Sequence, residues 1–227
     1  MASIIDSPTG TIVPTTAAAP LIGIARHRIA IDGQGVTTLV AFHGCPLRCR
    51  YCLNPQCRKK DGIALRMTPE ELFEVARQDE IYYLATNGGV TFGGGEPLLQ
   101  ADFIADFCQL LTDPWHITME TCLNAPTKAL TKMLPYVDEF IIDVKDMDAD
   151  IYEAYTRHSQ TRLLRNLQCL ARHNMQDRCV LRLPLIAGYN TKEDRQQSRR
   201  RLREMGFTRF DNFTYITEIT EHKKQIQ

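Results

Sequence analysis

Residues 37–52, TTLVAFHGCPLRCRYC, run from a β-pattern straight into a loop that carries Cys45, Cys49 and Cys52. Thr37–Phe42 is apolar and β-branched and reads as a strand. Before it, RHRIAIDGQG turns at Asp32-Gly33, so a hairpin delivers the chain to that strand. After the loop the pattern changes period repeatedly. TPEELFEVARQ starts with Thr68 and has Glu71 three residues on, the capping-box signature of a helix start. GGVTFGGGEP is a short β-rich run ending in a glycine loop, and LLQADFIADFCQLLTD has helical spacing. WHITMETC, DEFIIDVKDM, RCVLRLPLIAG and FDNFTYITEI read as further strands. Between them, APTKALTKMLPYV, QTRLLRNLQCLARHN and TKEDRQQSRRRLREMG read as helices.

Strands alternating with helices imply βαβ units and a parallel sheet. About six such units fall short of the eight of a closed barrel. The expected fold is therefore α/β, an open, partial TIM-like barrel with right-handed crossovers. Residues 1–20, rich in Thr, Ala and Pro, read as a flexible lead-in, and residues 21–227 as a single domain. In a barrel of this kind, polar residues at the C-terminal ends of strands are the catalytic candidates. The unusual residues of this chain lie there: the cysteine loop, GGGEP, Glu120-Thr121, Asp143 with Lys145, and Arg182.

Lys plus Arg equals Asp plus Glu at 27 each, so overall charge predicts neither nucleic acid nor an anionic membrane as partner. The Arg-rich stretch RQQSRRRLREMGFTRF reads as the solvated face of a helix. No apolar run is long enough to span a bilayer, and the N-terminus lacks a signal-peptide pattern. The expected location is the cytoplasm, where cysteine clusters serve metals or catalysis more often than disulfides.

Structural zinc needs four ligands, and C-x3-C-x2-C supplies a single knuckle with no second pair downstream. Three thiolates on one tight loop can instead hold three irons of a [4Fe–4S] cluster and leave the fourth without a protein ligand. Cys57 could close that cluster or stand by. Cys108, Cys169 and Cys179 read as small buried hydrophobes, and His43 as a packing residue.

The C-x3-C-x2-C loop after the first barrel strand resembles the hallmark of the radical S-adenosylmethionine (SAM) enzymes. TFGGGEPLLQ resembles that family's Gly-Gly-Glu-Pro motif, at Gly94, Gly95, Glu96 and Pro97. GCPLRCRYCLNP, IIDVKDMD and LRLPLIAGYN further resemble one branch, the activating enzymes of glycyl-radical enzymes such as pyruvate formate-lyase activase. The resemblance implies that Cys45, Cys49 and Cys52 ligate a [4Fe–4S] cluster whose open iron binds the amino and carboxylate groups of SAM. It implies reductive cleavage of SAM to a 5′-deoxyadenosyl radical, which abstracts hydrogen from a glycine of a partner glycyl-radical enzyme. It also implies that Gly94, Gly95 and Glu96, the pair Asp143 and Lys145, and Arg182 contact SAM. Glu120 and Thr121 match an acidic residue and a Thr that hold a monovalent cation beside it. Three departures are visible: Gly93 stands where close relatives carry Ser, Glu120 where they carry Asp, and DNFTYITEI has no counterpart of the His that some relatives carry on the last strand. The ferredoxin-like cysteine insert of many activases is absent. IDGQG lacks the spacing of a dinucleotide fingerprint, so the electron is expected from a reduced flavodoxin or ferredoxin. Competing expectations are a radical SAM enzyme acting on a ribosomal peptide or small metabolite, and a zinc-binding interaction module.

Overall fold

The computed structural model describes residues 17–29 and 31–215. Strands β1 (Ala19–Ile29) and β2 (Val36–Phe42) form the expected antiparallel hairpin. A short strand, β3 (Leu65–Met67), adds to the outer edge of β1. The strands β4 (Gly89–Gly94), β5 (His116–Thr121), β6 (Glu139–Asp143), β7 (Cys179–Arg182) and β8 (Arg209–Asp211) then follow β2 in chain order, each parallel to its neighbour. The sheet order is β3-β1-β2-β4-β5-β6-β7-β8. Six parallel strands and their helices make the partial barrel that the alternation predicted.

The helices are α1 (Pro69–Ala76), α2 (Glu80–Thr86), α3 (Ala101–Gln109), α4 (Thr127–Met133), α5 (Ala149–Thr156), α6 (Thr161–Arg172) and α7 (Lys192–Glu204). Thr68 and Glu71 form the predicted capping box on α1, and Thr191 with Asp194 makes another on α7. Two helices are absent from the sequence reading. α5 starts at Asp148, whose carboxylate accepts from the backbone of Asp150 and Ile151 and satisfies donors that the first turn leaves free. α2 follows α1 through one 3₁₀ turn, so the two merge in the apolar pattern. Among the described residues no helix is long and apolar enough to cross a membrane.

Residues 1–16 of the expected lead-in lie outside the described residues, whereas Ala19 and Pro20 are already strand, paired with Met67 and Arg66. The expected last strand, 210–219, contracts to β8 plus one bridge from Leu185 to Thr214; positions 216–219 lie outside the described residues.

Alternation along each strand sorts the side chains into two layers. Phe92, Met119, Ile142 and Leu181 are fully buried against the helices, and Phe42 packs against Phe92 and Phe103 at 5.9 and 5.7 Å. Each such side chain stabilises the fold by about 1.5–3 kcal/mol. Their strand neighbours Gly93, Glu120, Asp143, Arg182 and Asp211 share the opposite, concave face. At the N-terminal end, the β1–β2 turn closes that face: Thr91 donates to the Asp32 carbonyl, and Gly33 has a φ of 127°. A Cβ there would lie 2.7 Å from the Thr118 hydroxyl.

Candidate active site at the C-terminal ends of the strands

The open end of the concave face is a cavity of about 140 Å³. Cys45, Cys49 and Cys52 line it together with Gly94, Gly95, Glu120, Thr121, Asp143, Lys145 and Arg182. Apart from Glu96, every residue singled out from the sequence is therefore brought to one place.

The glycine loop is fastened to the start of the cysteine loop by backbone hydrogen bonds. Gly95 N donates to the Phe42 carbonyl at 2.9 Å, and Glu96 N to the Gly44 carbonyl at 2.8 Å. A Cβ on Gly95 would sit 2.2 Å from the Gly44 oxygen, so only glycine allows this approach. Asn54 adds a side-chain bond to the Gly94 carbonyl at 3.2 Å.

The Glu96 carboxylate turns inward, away from the cavity. It accepts from Thr121 Oγ1 at 2.7 Å, from Cys122 N at 2.9 Å, from Cys122 Sγ at 2.8 Å and from Leu98 N at 3.1 Å. Burial raises its pKa, against the lowering effect of these donors. Glu96 is thus a latch joining the glycine loop to the end of β5. The same latch takes the Thr121 hydroxyl, while Glu120 on the other face pairs with Arg182 at 2.8 Å. Successive strand residues point to opposite faces. Glu120 and Thr121 both line the cavity, each with its side chain already bonded, to Arg182 and to Glu96 respectively.

Charges in the cavity are paired. Lys145, 7% exposed at its side chain, donates to Asp143 at 2.8 Å and to the Tyr215 hydroxyl at 3.2 Å. It adopts a left-handed φ of 68°, which bends the chain so that the ammonium returns under the cavity. Burial works against the Lys145 ammonium, but the Asp143 charge outweighs it and holds the pKa well above the ordinary value. Asp143 is shifted down because Lys145 and Arg182 outweigh its burial. Arg182 is raised in the same manner, Glu120 and Asp143 overcoming its desolvation. Burial raises Glu120.

Beside the cysteine loop sit two further thiols. Cys122, 8% exposed with its thiol donated to Glu96, and Cys57, 1% exposed, both neighbour Cys45, and Cys57 also neighbours Cys52. The neighbouring thiols, Cys122 first, pull the Cys45 thiol down to about 3, and Cys57 pulls Cys52 to about 6. Burial pushes Cys49 up to about 11. Cys122 escaped the sequence reading, because its place beside Cys45 is set by strand register rather than by spacing.

A family model described as "Radical SAM superfamily" matches residues 39–202. The chain is 30% identical over 220 residues to the (2S)-3-sulfopropanediol dehydratase activating enzyme of Klebsiella oxytoca, a match covering 70% of this chain and 69% of that one. It is 30% identical over 212 residues to pyruvate formate-lyase 2-activating enzyme of Escherichia coli (strain K12), covering 79% and 71%. The chain belongs to the radical SAM superfamily, in its branch of glycyl-radical enzyme activating enzymes. Its fold is similar to that of Streptococcus suis SuiB bound to S-adenosylmethionine, with a TM-score of 0.60 at 14% identity over 79% of this chain and 42% of that one.

The donor set fits the groups of a radical SAM enzyme. Thiolates are the ligand form of cysteine, and the Cys45 and Cys52 thiols are both shifted toward it. Side chains of both signs, Glu120, Asp143, Lys145 and Arg182, line the same cavity as the thiols, a charge pattern that suits a zwitterionic amino acid group.

Proposed function

We propose that this chain is the activase of a partner glycyl-radical enzyme, with Cys45, Cys49 and Cys52 each ligating one iron of a [4Fe–4S] cluster. The observation that carries the reading is the convergence of that cysteine loop with Gly94, Gly95, Asp143, Lys145 and Arg182 on a single cavity. When bound, the cluster and SAM supply a 5′-deoxyadenosyl radical that takes a hydrogen atom from a glycine Cα of the partner.

The protein residues bind, orient and exclude. Arg182 offers a planar fork to the SAM carboxylate, in competition with Glu120. The Gly94 and Gly95 backbone lets the ligand approach closely, and Glu96 fixes that backbone from behind. Lys145 and Asp143 hold the adjoining wall at net neutral charge. When the SAM carboxylate takes Arg182, Glu120 loses its partner, and a monovalent cation would neutralise it there. Cys57 and Cys122 stand beside Cys45 and are not ligands themselves. The electron comes from a reduced flavodoxin or ferredoxin, in the cytoplasm under anaerobic conditions, with no nucleic acid and no membrane involved.

The test reconstitutes the full chain anaerobically, reduces it with SAM and a candidate glycyl-radical enzyme, and records electron paramagnetic resonance. A glycyl doublet is the expected result. Its absence, with SAM cleavage intact, would direct the same chemistry to another substrate.

A further inference from the structure

The cysteine loop has a second side. Behind it lies a groove of about 640 Å³ whose wall includes Cys45, Arg48, Pro55, Cys57, Arg58 and Lys59. Cys45 thus lies between two openings, the catalytic cavity and this groove. The charge of the groove is one-sided. From His43 to Lys60 the sequence holds Arg48, Arg50, Arg58, Lys59 and Lys60 and not one Asp or Glu, in a chain whose charges otherwise balance. All five cations are exposed. None takes part in an ion pair among the described residues, unlike Lys145 and Arg182 at the front. The groove wall is held in shape by Gly44 N, which donates to the Cys57 carbonyl at 2.7 Å, and by the His43 ring bonded to the Lys59 carbonyl at 2.8 Å.

We propose that this basic groove is the docking face for an acidic one-electron carrier protein, which reduces the cluster from behind while SAM and the partner's glycine loop fill the front. The inference rests on the cluster-bearing reading above and adds the route of the electron. An unpaired cationic rim around a redox ligand suits an acidic carrier, because complementary charge steers encounter and sets the on-rate. A nucleic acid would meet the same charge but has no use for a face that ends at Cys45. One electron leaves the carrier and one enters the cluster, with no bond made or broken. Entry from behind also means that reduction need not wait for the front cavity to empty.

The test mixes reduced flavodoxin, and separately a reduced ferredoxin, with the anaerobically reconstituted full chain and follows cluster bleaching by stopped flow. The variant is Arg48→Glu/Lys59→Glu; neither residue lines the catalytic cavity. Its control is Arg162→Glu/Arg165→Glu on α6, where both residues are exposed. With at least one carrier, the groove variant is expected to slow reduction at least tenfold at low salt and to lose the salt dependence of the wild type. Reduction by titanium(III) citrate should stay unchanged. Calorimetric binding of oxidised flavodoxin to the cluster-free chain should weaken in parallel. Unaltered transfer from both carriers, an equal loss in the α6 control, or an equal loss with titanium(III) citrate would each overturn the assignment. These readouts stop at the cluster, so they stand whether or not a glycyl radical forms.

Discussion

Polar networks sit at both ends of the strands and are built on opposite rules. Near the N-terminal end of β2, Asp79 is 1% exposed and accepts from Arg26 Nε and Nη2 at 2.7 and 2.6 Å and from Thr38 at 3.2 Å, with His27 at 2.8 Å. Tyr83 completes the set by donating to Thr38 at 2.6 Å. At the C-terminal end, Glu120, Asp143, Lys145 and Arg182 pair with one another, yet all four face a cavity and keep bonding capacity to spare. A satisfied network fixes one conformation; a partly committed one is poised for a polar ligand. The first holds the chain and the second waits for a partner.

Four substitution sets would break or sharpen that contrast. The largest effect belongs to the open end. Cys45→Ala, Cys49→Ala or Cys52→Ala should each cut cluster content after anaerobic reconstitution to below about a tenth of wild type, because the thiolate is the ligand. Cys57→Ala should retain the cluster. Iron analysis and visible absorption read both, and a Cys57→Ala protein without cluster would make Cys57 a ligand. Next, Arg182→Ala should weaken SAM binding about 10–100-fold, the worth of a charge-assisted pair. Calorimetry measures this, and unchanged affinity would remove Arg182 from the carboxylate site.

At the closed end the signs reverse. Asp79→Asn should lower unfolding stability by about 2 kcal/mol, since it leaves charged donors partly unpaired, while SAM affinity stays unchanged. Hydrogen bonding from Arg26 holds the Asp79 pKa below its ordinary value, against its burial. A lowered folded pKa stabilises fully above the unfolded value of about 3.9 and loses that contribution as pH falls. The stability gap between wild type and variant should therefore narrow on acidification from about pH 5 to about pH 3. Urea unfolding across that range checks it, and a gap that widens in acid would refute the ion pair.

Much of the site was legible before any coordinates. The Cys45–Cys52 spacing, the glycine run and the strand-end positions of Asp143, Lys145 and Arg182 are local patterns, and the barrel gathers them by construction. What sequence hid depends on side-chain direction. The Glu96 carboxylate is bonded to Thr121 and Cys122, which no spacing signals. Glu120 and Thr121 are adjacent in sequence, yet alternation gives them different partners, Arg182 and Glu96. Cys122 carries no spacing signal because it reaches Cys45 from a different strand. Among the elements, α5 was missed because its start depends on a capping Asp148 inside a charged run, and β3 because three residues carry too short a pattern.

Gly93 and Glu120 give the smallest predicted effect and the widest consequence. A Cβ on Gly93 would lie 3.1 Å from Glu120 Oε2 and 3.3 Å from Glu120 Cβ. Gly93→Ser alone should cost about 1 kcal/mol through crowding. Glu120→Asp alone gives up reach toward Arg182, and the double variant should cost less than the sum of the two, a coupling that a double-mutant cycle measures. These two departures from the family pattern are then a single trade of volume across adjacent strands. What residue 93 can carry is thus set from across the sheet by the length of the side chain at 120, so neither position can be judged alone.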